Sequence, residues 1–136
     1  LYRTHVAING TIPALNEMQD LERVINSFPG VKTFKVKVGT DVGEDLHRLE
    51  LVRTLRPNAT IRVDVNGLLS VDEAEKFINS IGDVEYVEQP CATIEELREL
   101  KKRQPGITLV GIGGASMTPY LDEKIADLKD LGVVGF

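Results

Sequence analysis

Short β-branched runs alternate with amphipathic helical stretches along the whole chain, and this alternation constrains its fold most. Residues 5–12, 33–38, 60–65, 84–87 and 107–112 read as strands. Apolar residues at helical spacing predict helices over 16–28 and 42–55, the second with Leu46, Leu49, Val52 and Leu55 on its inner face. Ser70 with Glu73, and Thr93 with Glu96, have the spacing of capping boxes. They open helices running to about Ile81 and Arg103. A further helix is expected over 119–131, and a sixth strand over 133–136. One βα unit every 22 to 27 residues demands a parallel sheet with right-handed crossovers.

Two α/β architectures satisfy that demand. A closed (β/α)8 barrel of the TIM type takes eight units and about 250 residues. The 136 residues here hold five and a half units. A doubly wound, flavodoxin-like open sheet would be complete at this length. The leading expectation is one α/β domain over 1–136, forming a partial barrel. Residues 1–104 would be units one to four, and 105–136 a divergent fifth unit and sixth strand. Such an arc would leave inward residues such as Val36, Val63 and Val87 uncovered and two strand edges open. A homo-oligomer is therefore expected.

Composition narrows the partners. A net charge of −5 offers no basic field for nucleic acid. Acidic and basic residues interleave along the helices, which reads as solvated faces. The single cysteine, Cys91, forms no internal disulfide or cysteine-based zinc cluster and reads as a small loop residue. No apolar run approaches the roughly 20 residues of a membrane span, and no signal-peptide pattern opens the chain. A cytoplasmic location is expected, with no membrane partner.

Charge gathers where three strands end. Lys35 and Lys37 close the second run, Asp64 and Asn66 the third, and Glu88 and Gln89 the fourth. Lys37 and Asp64 are 27 positions apart, Asp64 and Glu88 24. In a parallel barrel, these C-terminal strand ends are where catalytic side chains converge. Lys35 and Lys37 share strand parity and one face. Two lysines there are costly unless carboxylates or a metal compensate them. Asp64 and Glu88 are hard oxygen ligands suited to magnesium or manganese. A lysine beside two such carboxylates suggests proton abstraction next to a metal-bound carboxylate substrate. Asn66 and Gln89, at the same rim, are candidates for binding that small molecule.

The phrases Lys35-Val36-Lys37, Arg62-Val63-Asp64-Val65-Asn66-Gly67 and Val87-Glu88-Gln89-Pro90-Cys91 resemble the enolase superfamily, most closely its o-succinylbenzoate synthases. Asn9-Gly10-Thr11-Ile12-Pro13 is similar to their first barrel strand. The resemblance implies a lyase. Lys37 would be its acid/base, Lys35 would hold charge near the substrate carboxylate and tune Lys37, and Asp64 and Glu88 would ligate Mg2+ or Mn2+. The implied reaction is syn-dehydration of a cyclohexene-carboxylate to o-succinylbenzoate, a step of menaquinone biosynthesis.

The resemblance stops near Pro105. The family's third metal ligand comes from strand five, where this chain has Gly114 and Ala115. The family's other catalytic lysine lies on strand six, and 133–136 contains none. An impaired lyase is therefore expected. The alternatives are a non-catalytic partial-barrel or engineered scaffold, or a phosphate binder using Gly111, Gly113, Gly114 and Ser116 as an anion loop.

Overall fold

The computed structural model describes residues 5–15 and 17–110. In chain order the elements are β1 (Gly10–Ile12), α1 (Met18–Asn26), β2 (Thr33–Lys37), α2 (Val42–Leu55), β3 (Thr60–Asp64), α3 (Val71–Ser80), β4 (Tyr86–Glu88), α4 (Ile94–Arg103) and β5 (Leu109–Val110). All neighbouring strands pair in parallel, in the order β1-β2-β3-β4-β5. A doubly wound sheet reverses its strand order at a switch point. No described strand does so, which rules out the flavodoxin-like alternative for this sheet. The described chain is an arc of a (β/α)8 barrel.

Local sequence explains the helix boundaries. Ser70 and Thr93 both close full capping boxes: each side chain accepts from the backbone N–H three residues on, and the glutamate there reaches back. Asp41 caps α2 by accepting from the Glu44 amide. Gly10 has no side chain because Phe28 and Phe34, packed edge to face, fill the space a Cβ would need. The first strand is shorter than expected. Residues 5–9 lie outside it, with Val6 and Ile8 exposed. The expected helix over 119–131, the strand over 133–136 and the glycine loop Gly111–Ser116 lie outside the described residues.

The two faces of the sheet differ sharply. Val36, Val63 and Val87 are fully buried together with Phe34, Leu49, Val52, Phe77, Leu97 and Leu100. They face the helices, not the barrel interior. This corrects the expectation that these valines line an uncovered apolar interior. Sequential right-handed crossovers put every helix on one side of the sheet. Strand alternation then sends Thr33, Lys35 and Lys37 to the opposite, concave side. Among the described residues that face carries Lys35, Lys37, Asp64 and Glu88 in place of the valines.

Candidate active site

The concave face at the strand ends brings the charged residues together. Lys37, Asp64 and Glu88 are register partners across β2, β3 and β4, and Lys35 lies one layer below, level with Arg62 and Tyr86. The Lys35 ammonium donates to Glu88 Oε2 at 3.0 Å and lies 3.1 Å from Asp64 Oδ2. Two carboxylates on adjacent strands thus converge on one cationic point. Within their own strands neither has a basic neighbour at the rim. Their counter-ion crosses from β2, a partner that only the three-dimensional register supplies.

Burial alone would pull the Lys35 pKa down. Hydrogen bonds to Glu88 and Asp64, together with their negative charge, outweigh it and hold the group above the ordinary lysine value. Lys35 is therefore a firmly protonated, paired lysine. Among the described residues the Lys37 ammonium has no ion-pair partner. Of the two lysines, only Lys35 is tied to the carboxylates by an ion pair. One layer down, Arg62 pairs with Glu85 and lies over the Tyr86 ring at 5.1 Å, flooring the cluster.

Asn66 and Gln89 stand just beyond β3 and β4, and both take left-handed backbone, with φ of 55° and 41°. Such a conformation is uncommon for residues other than glycine and stores about 1 kcal/mol or more of strain. It is held by a stitched pair of loops. The Val65 amide donates to the Glu88 carbonyl at 3.0 Å, and the Gly67 amide to the Gln89 carbonyl at 2.7 Å. The Asn66 amide also donates to Asp64 Oδ1 at 3.3 Å, steadying that carboxylate. Asn66 is exposed and Gln89 half-buried. Cys91 is fully buried, and its thiol is pushed up to about 11 by desolvation and by Glu96. An inert thiol matches its reading as a loop residue.

The donor set fits a divalent cation as far as it goes. Asp64 and Glu88 supply hard oxygens aimed at one point, while no cluster of three acidic, histidine or cysteine ligands occurs among the described residues. The strand-five position of a third ligand falls outside those residues.

Sequence reasoning missed a second charged group, behind the rim. Asp45 and Arg48 on α2 are fully buried and ion-paired at 2.7 Å. The inner face of α2 therefore comprises Asp45, Arg48, Leu49 and Val52, with Leu46 and Leu55 only half-buried. The signal was present: positions 45, 48, 49 and 52 follow helical spacing. The default of solvated charge on a helix face hides it.

Comparison with known proteins agrees with this fold. The family model for enolase C-terminal domain-like proteins matches residues 19–112. Over 107 residues the chain is 43% identical to the o-succinylbenzoate synthase of Mycobacterium ulcerans, covering 74% of this chain and 32% of that protein. The synthase of Mycobacterium leprae is 42% identical over 107 residues, with 74% and 31% covered. The chain thus spans about a third of the length of the curated relatives it matches. A mandelate racemase/muconate lactonizing enzyme from Roseiflexus superposes with a TM-score of 0.72 at 19% identity, covering 96% of this chain and 48% of that one. A Bradyrhizobium enolase, complexed with magnesium and mandelic acid, also gives 0.72, at 20% identity and with 92% and 37% covered. At such identities the structural likeness is one of fold. The chain belongs to the enolase C-terminal domain-like family.

Proposed function

We propose that this chain carries the front half of a lyase site of the o-succinylbenzoate synthase type. The site would abstract a proton α to a carboxylate and then eliminate water. The observation that carries the reading is the convergence of Lys35, Asp64 and Glu88 from three adjacent strands, with Lys37 level with both carboxylates and unpaired among the described residues. Lys37 would take the α-proton and return it to the departing hydroxyl. Asp64 and Glu88 would hold magnesium or manganese, which supplies Lewis-acid stabilisation of the enediolate when bound. Lys35 anchors those two carboxylates and places positive charge beside the incoming substrate. Asn66 and Gln89, fixed in left-handed backbone at the rim, would contact that substrate. Likeness to synthases at 42–43% identity supports the substrate class, a cyclohexene-carboxylate of menaquinone biosynthesis.

With two carboxylates the metal should be held weakly, the rest of its shell being water. Manganese titration followed by water-proton relaxation should show saturable binding by the parent chain and its loss in Asp64→Asn. Equal signals from the two would remove the metal site. The chain should give negligible dehydration even with magnesium, and measurable turnover would show a more complete site than the described residues contain.

A further inference from the structure

The proton-abstraction reading makes no use of the buried pair on α2, yet this pair grips the strand that carries Lys37. Arg48 Nη1 donates to Asp45 Oδ1 at 2.7 Å and to the Lys37 carbonyl at 3.0 Å, and Nε donates to the Leu15 carbonyl at 3.2 Å. The other carboxylate oxygen of Asp45 accepts the Gly39 amide at 2.7 Å. The pair therefore holds the backbone on both sides of Val38 and ties it to the loop between β1 and α1. Two fully buried ions are a costly way to fill a core, and apolar residues of similar volume often serve stability as well or better. What apolar residues cannot supply is a set of directed bonds to three backbone groups on two separate rim loops. A planar guanidinium with divergent N–H groups suits that task, and a lysine does not.

We propose that Asp45 and Arg48 are positioning residues for Lys37. They fix the end of β2 against the β1–α1 loop, and so present the Lys37 ammonium beside the Lys35–Asp64–Glu88 cluster. The functional meaning of this rests on the reading of Lys37 as the acid/base, but its mechanical content can be tested separately.

The test compares the parent chain with Arg48→Lys by amide hydrogen exchange and by NMR of the lysine side chains. Lysine preserves the charge and can still pair with Asp45, but a single ammonium cannot span the Leu15 and Lys37 carbonyls. Exchange at the Gly39 and Val38 amides should quicken about tenfold or more while the Val63 and Val87 amides keep their protection. The Lys37 side-chain resonances should move, and those of Lys32 and Lys101 should stay. Should Arg48→Lys not fold, Asp45→Asn, which keeps the shape but loses the charge, is judged by the same signals. Unchanged exchange at Gly39, an unmoved Lys37 signal, a uniform loss of protection, or failure of both variants to fold would each overturn the proposal. If Lys37 moves as expected but Asp64→Asn binds manganese as well as the parent chain does, the positioning stands and the lyase reading fails.

Discussion

On the concave side of β2, Lys35 meets Asp64 and Glu88 with side chains 23%, 6% and 22% exposed. On its helix side Asp45 meets Arg48 with neither exposed at all. Both clusters pair opposite charges within a few residues of the same strand end, but on different terms. The concave cluster keeps a path to water, so its ions can exchange partners, and a carboxylate freed from Lys35 can be taken up by another cation. The helix-side pair is sealed and spends its hydrogen bonds on backbone. A site needs both kinds of cluster: charges that can be re-partnered during a reaction, and charges that hold the re-partnering groups in place.

The largest consequence follows from the sealed pair. Arg48→Met would leave the Asp45 carboxylate buried without its counter-charge and strip donors from the Leu15 and Lys37 carbonyls. Breaking a buried pair on one side costs about 3–5 kcal/mol. Urea unfolding should show a loss of that size, and a loss below about 1 kcal/mol would mean that water reaches the pair. Replacing both residues, Asp45→Leu with Arg48→Leu, should recover only part of the loss, because the unpaired charge is gone while the Gly39 amide and the Leu15 and Lys37 carbonyls lose their partners. Recovery of stability without recovery of Gly39 protection would separate packing from positioning.

A smaller effect is expected from the concave cluster. Lys35→Met leaves two carboxylates side by side with a route to solvent, and should cost about 1–2 kcal/mol, between the values for exposed and sealed pairs. Its pH dependence has a definite sign. The Lys35 pKa is raised on folding from an ordinary value of 10.5. Its contribution is therefore complete below that pH and fades as pH rises through the folded value. Unfolding curves for parent and variant should differ by a constant amount from neutrality to about pH 10 and converge above it. A difference that grew with alkalinity would show that Lys35 is not paired as described.

The same contrast explains what could be read from sequence. The βα alternation, the bounds of α2 and the capping boxes at Ser70 and Thr93 were legible, because they depend on neighbours within four residues. The rim location of Lys37, Asp64 and Glu88 was legible too, since each closes its own apolar run. The Lys35 bridge was not, because it depends on which strands are adjacent and at what register. Strand order also decided between the barrel arc and the open sheet, and no local pattern encodes it. The face taken by the valines is not legible, because alternation fixes which residues share a side, while the helices decide which side is covered. Asp45 and Arg48 were hidden by the reasonable default that a charged helix residue meets water.

The smallest expected effect on stability belongs to Lys37, and it is the most informative. Lys37 lies two residues from Lys35 on the same face, yet no ion pair holds its ammonium among the described residues. If its place at the rim serves chemistry and not architecture, Lys37→Met should change unfolding free energy by no more than about 0.5 kcal/mol, the usual range for a side chain outside any network. Manganese binding should also persist, since both carboxylates, Asp64 and Glu88, remain. A loss above about 1 kcal/mol would place Lys37 in the structural group with Lys35. It would also remove the distinction on which its assignment as the acid/base rests. Near-neutral stability with intact metal binding would instead leave a lysine that the fold has no need of, set level with two carboxylates and held there from behind by Asp45 and Arg48.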